Sequence, residues 1–252
     1  MIKILLNGCN GKMGKIINEL AKKNKNLLIV AGVDSNLSTT TYPVYEKISN
    51  CTEKVDVILD FSRALALNDL INFASINNTP LVLCTTGYSD KQVELIKHAS
   101  SKIPIFRSSN MSIGINVINN VLKNISELLY NDFDIEIIEK HHNEKVDAPS
   151  GTALMLASTI KEAISEETTF IYGREGNIKR IHKEIGIHAI RGGSIVGEHD
   201  IIFAGQGEVI EIKHSALSRD VFAVGALKAC QFISDKEPGM YSMEDILSNN
   251  IK

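Results

Sequence analysis

Fourteen consecutive residues, Glu139-Lys140-His141-His142-Asn143-Glu144-Lys145-Val146-Asp147-Ala148-Pro149-Ser150-Gly151-Thr152, join two adjacent histidines, a lysine and the start of a helix in one stretch. Histidine carries protons near neutral pH because its ordinary pKa is about 6.5. Lys145 adds a fixed positive charge that can hold a carboxylate or help to donate a proton. Ser150 or Thr152 suits a helix cap, and the free N–H groups of Gly151 and Thr152 at such a helix start bind anions. Together these groups can hold and protonate a small dicarboxylate. Asp147, just before Ala148-Pro149, can fix the loop or orient a neighbouring base. His141 and His142 close a strand-like run, so their side chains are expected on opposite faces. A two-histidine metal site is the competing reading. No third ligand stands at a suitable spacing, and no metal is expected.

A second constellation lies at the N-terminus. Gly8-Cys9-Asn10-Gly11-Lys12-Met13-Gly14 follows an apolar run and opens a helical pattern, a G-x-x-G-x-x-G variant of the dinucleotide fingerprint. Glycine permits the tight turn and the close backbone approach, and the pyrophosphate then rests on the helix N-terminus. Asp34 ends the next apolar run, 20 positions after Gly14, where a carboxylate binds ribose hydroxyls. Asp34-Ser35 brings no arginine to meet a 2′-phosphate, which favours NADH, while Lys12 can offset the repulsion enough for dual use. Two further segments, Cys84-Thr85-Thr86-Gly87 and Ser108-Ser109-Asn110-Met111, follow later apolar runs, and strand C-termini are where ligands sit in open parallel sheets. Turn-making is their plain alternative. Cys84 can be read as a nucleophile or as a small buried thiol.

The elements that must carry these groups follow from hydrophobic patterning. Apolar runs at residues 2–7, 27–33, 55–60, 81–84 and 103–106 alternate with helical stretches at 12–23, 64–77 and 90–101. This is the order of a parallel α/β sheet with both faces covered. A helix is expected over 112–129, a strand over 133–142 and a helix over 152–164. Strand-like runs then follow at 184–191, 194–204 and 208–214, and a small-residue-rich helix at 218–234. Consecutive strands with glycine-rich breaks mean an antiparallel or mixed sheet. The expected architecture is therefore α/β: a Rossmann-type cofactor domain, 1–112 and 218–252, plus a smaller α+β domain, 113–217.

The formal charge of −3 argues against nucleic acid or an anionic membrane as partner. No apolar run reaches the roughly 18 residues of a membrane span. The four cysteines, Cys9, Cys51, Cys84 and Cys230, have neither metal nor disulfide spacing, which suits a reducing cytoplasm.

Over nearly its whole length the chain resembles the 4-hydroxy-tetrahydrodipicolinate reductase family, also called dihydrodipicolinate reductase. The likeness rests on Gly8–Gly14, Asp60-Phe61-Ser62, Thr85-Thr86-Gly87, Asn110-Met111-Ser112-Ile113-Gly114 and the 139–152 block. It extends to Arg191-Gly192-Gly193-Ser194-Ile195-Val196-Gly197-Glu198-His199 and to residues 215–219. The resemblance implies His141 as catalytic acid/base and Lys145 as a second proton donor. It implies His142 and the amides of Gly151 and Thr152 as holders of substrate carboxylates. Gly8, Cys9, Asn10, Gly11, Lys12, Met13, Asp34, Cys84, Thr85, Thr86, Ser108, Ser109, Asn110 and Met111 would line NADH or NADPH. Many members carry a basic residue where Ser35 stands, and some carry glycine at Cys84. The family further implies a homotetramer joined through the sheet of the second domain, and a place in diaminopimelate and lysine biosynthesis.

Two readings compete. An aspartate-semialdehyde-type reductase needs a nucleophilic cysteine in its second domain, and residues 113–221 hold none. A non-enzymatic NAD(H)-binding redox sensor has no use for the histidine–lysine loop.

Overall fold

The structure, a computed structural model, describes residues 1–38 and 41–249. Along the chain run β1 (Ile2–Asn7), α1 (Lys12–Lys22), β2 (Leu27–Val33), β3 (Val44–Tyr45), β4 (Val57–Asp60), α2 (Leu67–Asn77), β5 (Leu81–Leu83), α3 (Asp90–Ser100) and β6 (Pro104–Arg107). There follow α4 (Ile113–Tyr130), β7 (Asp134–His141), α5 (Gly151–Ala163), β8 (Thr169–Tyr172), β9 (Glu184–Arg191), β10 (Gly197–Ala204) and β11 (Val209–Ala216). The last elements are α6 (Asp220–Ile233), β12 (Gly239–Tyr241) and α7 (Met243–Asn249). The chain divides into two compact units, one of Met1–Ile113 with the chain from Arg219 onward, the other Gly114–Ser218.

In the first unit the strands lie in the order β12-β6-β5-β4-β1-β2-β3, and every neighbouring pair is parallel. Ile4 and Leu6 of β1 enter one core and Leu5 the other, so both sheet faces are covered. Each such fully buried side chain contributes roughly 1.5–3 kcal/mol. A one-residue slip would exchange the two sets, which pins the register. The first core closes with Ile17 and Ala21 of α1 against Ala223, Ala226 and Cys230 of α6. The second closes with Leu67 and Leu70 of α2 and Ile96 of α3. The small face of α6 is required, because a Cβ on Gly225 would run into the Met111 carbonyl. Strand order reverses between β1 and β4, and ligands of such sheets bind outside the carboxyl ends at that point.

In the second unit the order is β11-β10-β7-β9-β8, with β7 antiparallel to β10 and parallel to β9. Strict alternation along β7 buries Ile135, Ile137, Glu139 and His141 on one face. Ile135 and Ile137 meet Ile185 and Ile187 of β9, and Phe203 and Ile201 of β10. Leu156 and Ile160 of α5 share this core. The same buried row turns polar toward the end of β7, where Glu139 pairs with His199 of β10 and His141 with Arg191 of β9.

The fold class matches the expectation: a helix-flanked parallel sheet and a separate mixed sheet. Several details depart from it. β9 and β10, adjacent in sequence, do not pair with each other, because β7 lies between them; only β10 and β11 make a hairpin. The 194–204 run starts as a strand at Gly197, and the 64–77 helix opens with a 3₁₀ turn at Ala64–Ala66. The strands β3, β8 and β12 were not anticipated. They are two to four residues long at or near sheet edges, too short for a periodic signal.

Candidate functional site

The fingerprint of the first unit is built by contacts that only glycine allows. Gly8 has φ +82°, and a Cβ there would lie 2.6 Å from the Phe61 carbonyl oxygen. A Cβ on Gly14 would collide with the carbonyl oxygens of Gly8 and Cys9. Helix α1 starts with Gly11 as its cap and no capping side chain, so no side-chain oxygen takes its first N–H groups, which suits an anion there. Asp34 accepts the Asn10 amide N–H through Oδ2 and the Asn36 amide through Oδ1, each at 3.0 Å, which fixes it beside the turn. A cavity of about 480 Å³ is lined by Gly8, Asn10, Gly11, Asp34, Ser35 and Phe61, among others. A positive-φ turn, an uncapped helix start and an acidic strand end around one cavity fit a nicotinamide dinucleotide.

The remaining cofactor candidates are not among the residues that line this cavity. Cys9 is fully buried in the core, where burial and the Asp34 charge push its thiol up to about 11, so only its backbone can meet a ligand. Met13 packs against the same core, and Lys12 is exposed at the helix start. Thr86 and Ser109 are exposed, while Met111 is buried. The Ser108 hydroxyl donates to the Asn110 carbonyl at 2.8 Å, and the Asn110 side chain accepts the Ser112 amide at 2.7 Å. Burial raises the Cys84 thiol well above its ordinary value, with Cys230 and Asp60 adding to it, which rules out a ready thiolate nucleophile.

Asp60, which the sequence offers only as a motif letter without a role, is fully buried at the end of β4. Its carboxyl accepts Asn7 Nδ2 at 2.8 Å, the Ser62 hydroxyl at 2.6 Å and the Thr85 hydroxyl at 2.7 Å. Burial raises its pKa, and these bonds work against that rise. The knot ties the ends of β1 and β4 to the Thr85 loop.

In the second unit the 139–152 block folds around one buried carboxylate. Glu139 is 0% exposed and accepts from four donors. These are Arg191 Nη1 and Nη2, both at 2.7 Å, the Ser150 amide at 2.9 Å and His141 Nδ1 at 2.6 Å. Burial alone would raise Glu139; Arg191, His141 and Ser150 outweigh it and hold the carboxyl below its usual range. His141 is lowered by burial, with Lys145 and Arg191 adding to the effect and Glu139 opposing it. Arg191 also donates to the Asp147 carbonyl at 2.7 Å, pinning the loop.

His142 follows the last residue of β7, is half-buried, and its Nδ1 has no hydrogen-bond partner among the described residues. Lys145 Nζ holds both oxygens of Asp147 at 2.7 and 2.9 Å. Hydrogen bonds from Lys145 and from the amides of Asp147 and Gly151 keep the Asp147 carboxyl low despite its partial burial. An ammonium and a helix-start amide thus already hold a carboxylate in this loop, one supplied by the chain itself. Ser150 caps α5 by accepting the Ala153 amide at 3.2 Å, and its hydroxyl lies 3.2 Å from His199 Nε2.

Glu139, Arg191 and His199 were quoted as motif letters without a role. The available signal was the period of two in β7, which puts Glu139 on the same face as His141.

His199 gives a pH signature. Burial, with the neighbouring His141 next, lowers it to about 4. Between its unfolded value near 6.5 and about 4, the unfolded chain binds the proton that the folded chain refuses. Stability is therefore expected to fall as pH drops through this window, by on the order of 3 kcal/mol from this residue. Above pH 6.5 it contributes no slope. Urea melts of the protein and of His199→Asn across pH 4–8 check this, and equal slopes in both would reject it.

The comparisons with known proteins cover both units. Residues 2–111 match the family model "Dihydrodipicolinate reductase, N-terminus", and residues 114–247 the model "Dihydrodipicolinate reductase, C-terminus". The chain is 57% identical over 250 residues to the 4-hydroxy-tetrahydrodipicolinate reductase of Clostridium novyi (strain NT), covering 99% of each. It is 59% identical to that of Clostridium tetani (strain Massachusetts / E88), covering 99% of this chain and 98% of the relative. Among solved structures it resembles dipicolinate-bound dihydrodipicolinate reductase from Paenisporosarcina sp. TG-14. There the TM-score is 0.82 at 25% identity, over 98% of this chain and 99% of the other. With the fingerprint turn, the histidine–lysine loop and both halves of the sequence agreeing, the chain belongs to the dihydrodipicolinate reductase family.

Proposed function

We propose that this protein reduces 4-hydroxy-tetrahydrodipicolinate, by way of dihydrodipicolinate, to tetrahydrodipicolinate in diaminopimelate and lysine biosynthesis. A reduced nicotinamide, NADH or NADPH, supplies the hydride to the ring carbon of a conjugated cyclic imine. The first unit holds that cofactor through Gly8–Met13, Asp34, Cys84–Thr86 and Ser108–Met111. The second unit holds the substrate: His142 and the amides of Gly151 and Thr152 bind its carboxylates, with Lys145 as a second proton donor. His141 then gives a proton to the enamine carbon, and Lys145 balances the negative charge that develops there. The observation that carries the reading is the joining of His141 to a fully buried carboxylate, in the same loop where Lys145 and the α5 start already hold a carboxylate. A sensor that only binds NAD(H) has no use for such a buried charge cluster.

The family's tetramer is carried into this reading. Its support is the face of the second sheet opposite the core, where Ile190 and Val209 are exposed beside half-buried Glu136 and Lys140. No described helix is long and apolar enough to cross a membrane; the reading takes the cytoplasm as the compartment.

The test is oxidation of NADH and NADPH by the purified protein, with substrate made in place from pyruvate and aspartate semialdehyde by the preceding synthase. Synthase-dependent oxidation is the expected result, and the ratio of the two rates reports the preference set by Asp34-Ser35. A folded protein that binds NADH yet oxidises neither cofactor would overturn the reading.

A further inference from the structure

We propose that Glu139 is a positioning residue for this reduction: it locks His141 in the Nδ1–H form and so makes Nε2 the nitrogen that carries the transferable proton. The proposal deepens the reading of His141 as proton donor and rests on it. A carboxylate this deep is costly unless every lone pair is met. Three donors around Glu139 are fixed by structure: the two Arg191 N–H groups and the Ser150 amide. The fourth is His141 Nδ1 at 2.6 Å. An ionised carboxylate can only accept, so Nδ1 must carry a hydrogen in both the neutral and the charged imidazole. Nε2 alone is left to gain and lose a proton.

Nε2 faces Gly197, where a Cβ would come within 3.1 Å of it, so no side chain from that position covers the nitrogen. The His199 ring stands edge-on to His141, centroids 5.3 Å apart, and limits its swing. The charged and titratable groups around His141 are Glu139 on its own strand, Arg191 on β9, His199 on β10 and Lys145 in the loop. Arg191 holds Glu139 from the other side and offsets part of its charge. A bare carboxylate would hold the imidazolium too firmly, whereas this pair orients the ring and still lets the proton go. In the transfer, the Nε2–H bond breaks and its electron pair stays on nitrogen. The enamine π pair forms the new C–H bond, and water later returns a proton to Nε2.

Two measurements test this. The first is ¹⁵N imidazole NMR of the ligand-free protein, with the His141 signals identified by their loss in His141→Gln. Above the titration, Nδ1 is expected protonated and Nε2 bare, with the Nε2 shift moving as pH falls; a neutral Nε2–H form overturns the proposal. The second is Glu139→Gln, which keeps the size and removes the charge. kcat is expected to fall at least about tenfold. The limb of the kcat profile that falls as pH rises should move to lower pH by about one unit or more, because the imidazolium loses its counter-charge. NADH affinity should be unchanged. A limb that stays in place in folded Glu139→Gln, with His141→Gln inactive, overturns the role of Glu139 alone. Normal turnover of His141→Gln would overturn the proton-donor reading itself. Should Glu139→Gln not fold, the tautomer seen by NMR in the unaltered protein decides.

Discussion

His141→Gln is expected to lower kcat by about two orders of magnitude or more, the range for a lost acid–base group. Glutamine fills a similar volume, and its amide N–H can still reach the Glu139 carboxylate that His141 Nδ1 meets at 2.6 Å. What it lacks is a proton it can release near neutral pH. The effect should therefore fall on kcat and leave the fold in place. NADH affinity should be retained, because the fingerprint turn belongs to the first unit and His141 to the second. Steady-state kinetics with calorimetric titration of NADH checks both halves. Near-normal turnover would remove His141 from the chemistry.

Lys145→Ala is expected to cost about two orders of magnitude or more in turnover as well, for a different reason. Its ammonium sits on Asp147, whose side chain is 58% exposed. Such a pair is worth at most about 1 kcal/mol to the fold. The melting temperature should therefore barely change. On the proposed reading the loss belongs to the reaction, where the ammonium leaves Asp147 to balance charge in the transition state. Asp147 would keep the Gly151 amide without its cation, so kcat/KM should drop further than kcat. A Lys145→Ala enzyme with near-normal kcat and kcat/KM would show that the ammonium is only a loop clasp.

The parallel sheet was legible because its strands are buried on both faces and read as unbroken apolar runs such as Ile4-Leu5-Leu6. Gly8 and Gly14 were legible because their backbone geometry tolerates no side chain, which leaves a spacing in the sequence. The order of the second sheet was not. That β7 lies between β9 and β10 depends on long-range pairing, which no single apolar run records. Glu139 was hidden for a similar reason. It reads as an ordinary charged residue until Arg191, 52 positions later, is brought across from β9 to meet it. Residues whose role is local could be read from the chain; those whose role is to hold others needed the pairing.

The order in which the chain is made sets a schedule for its folding. The second unit is one continuous segment, whereas the first is begun at Met1 and completed only from Arg219 onward. Until α6 leaves the ribosome, one side of the first sheet lacks Ala223, Ala226, Ala229, Cys230 and Ile233, and α1 covers its apolar face only in part. The nascent protein thus exposes part of one face of its parallel sheet while the second unit is already complete. A ribosome stalled before α6 would carry a sticky intermediate, of the kind that holding chaperones recognise.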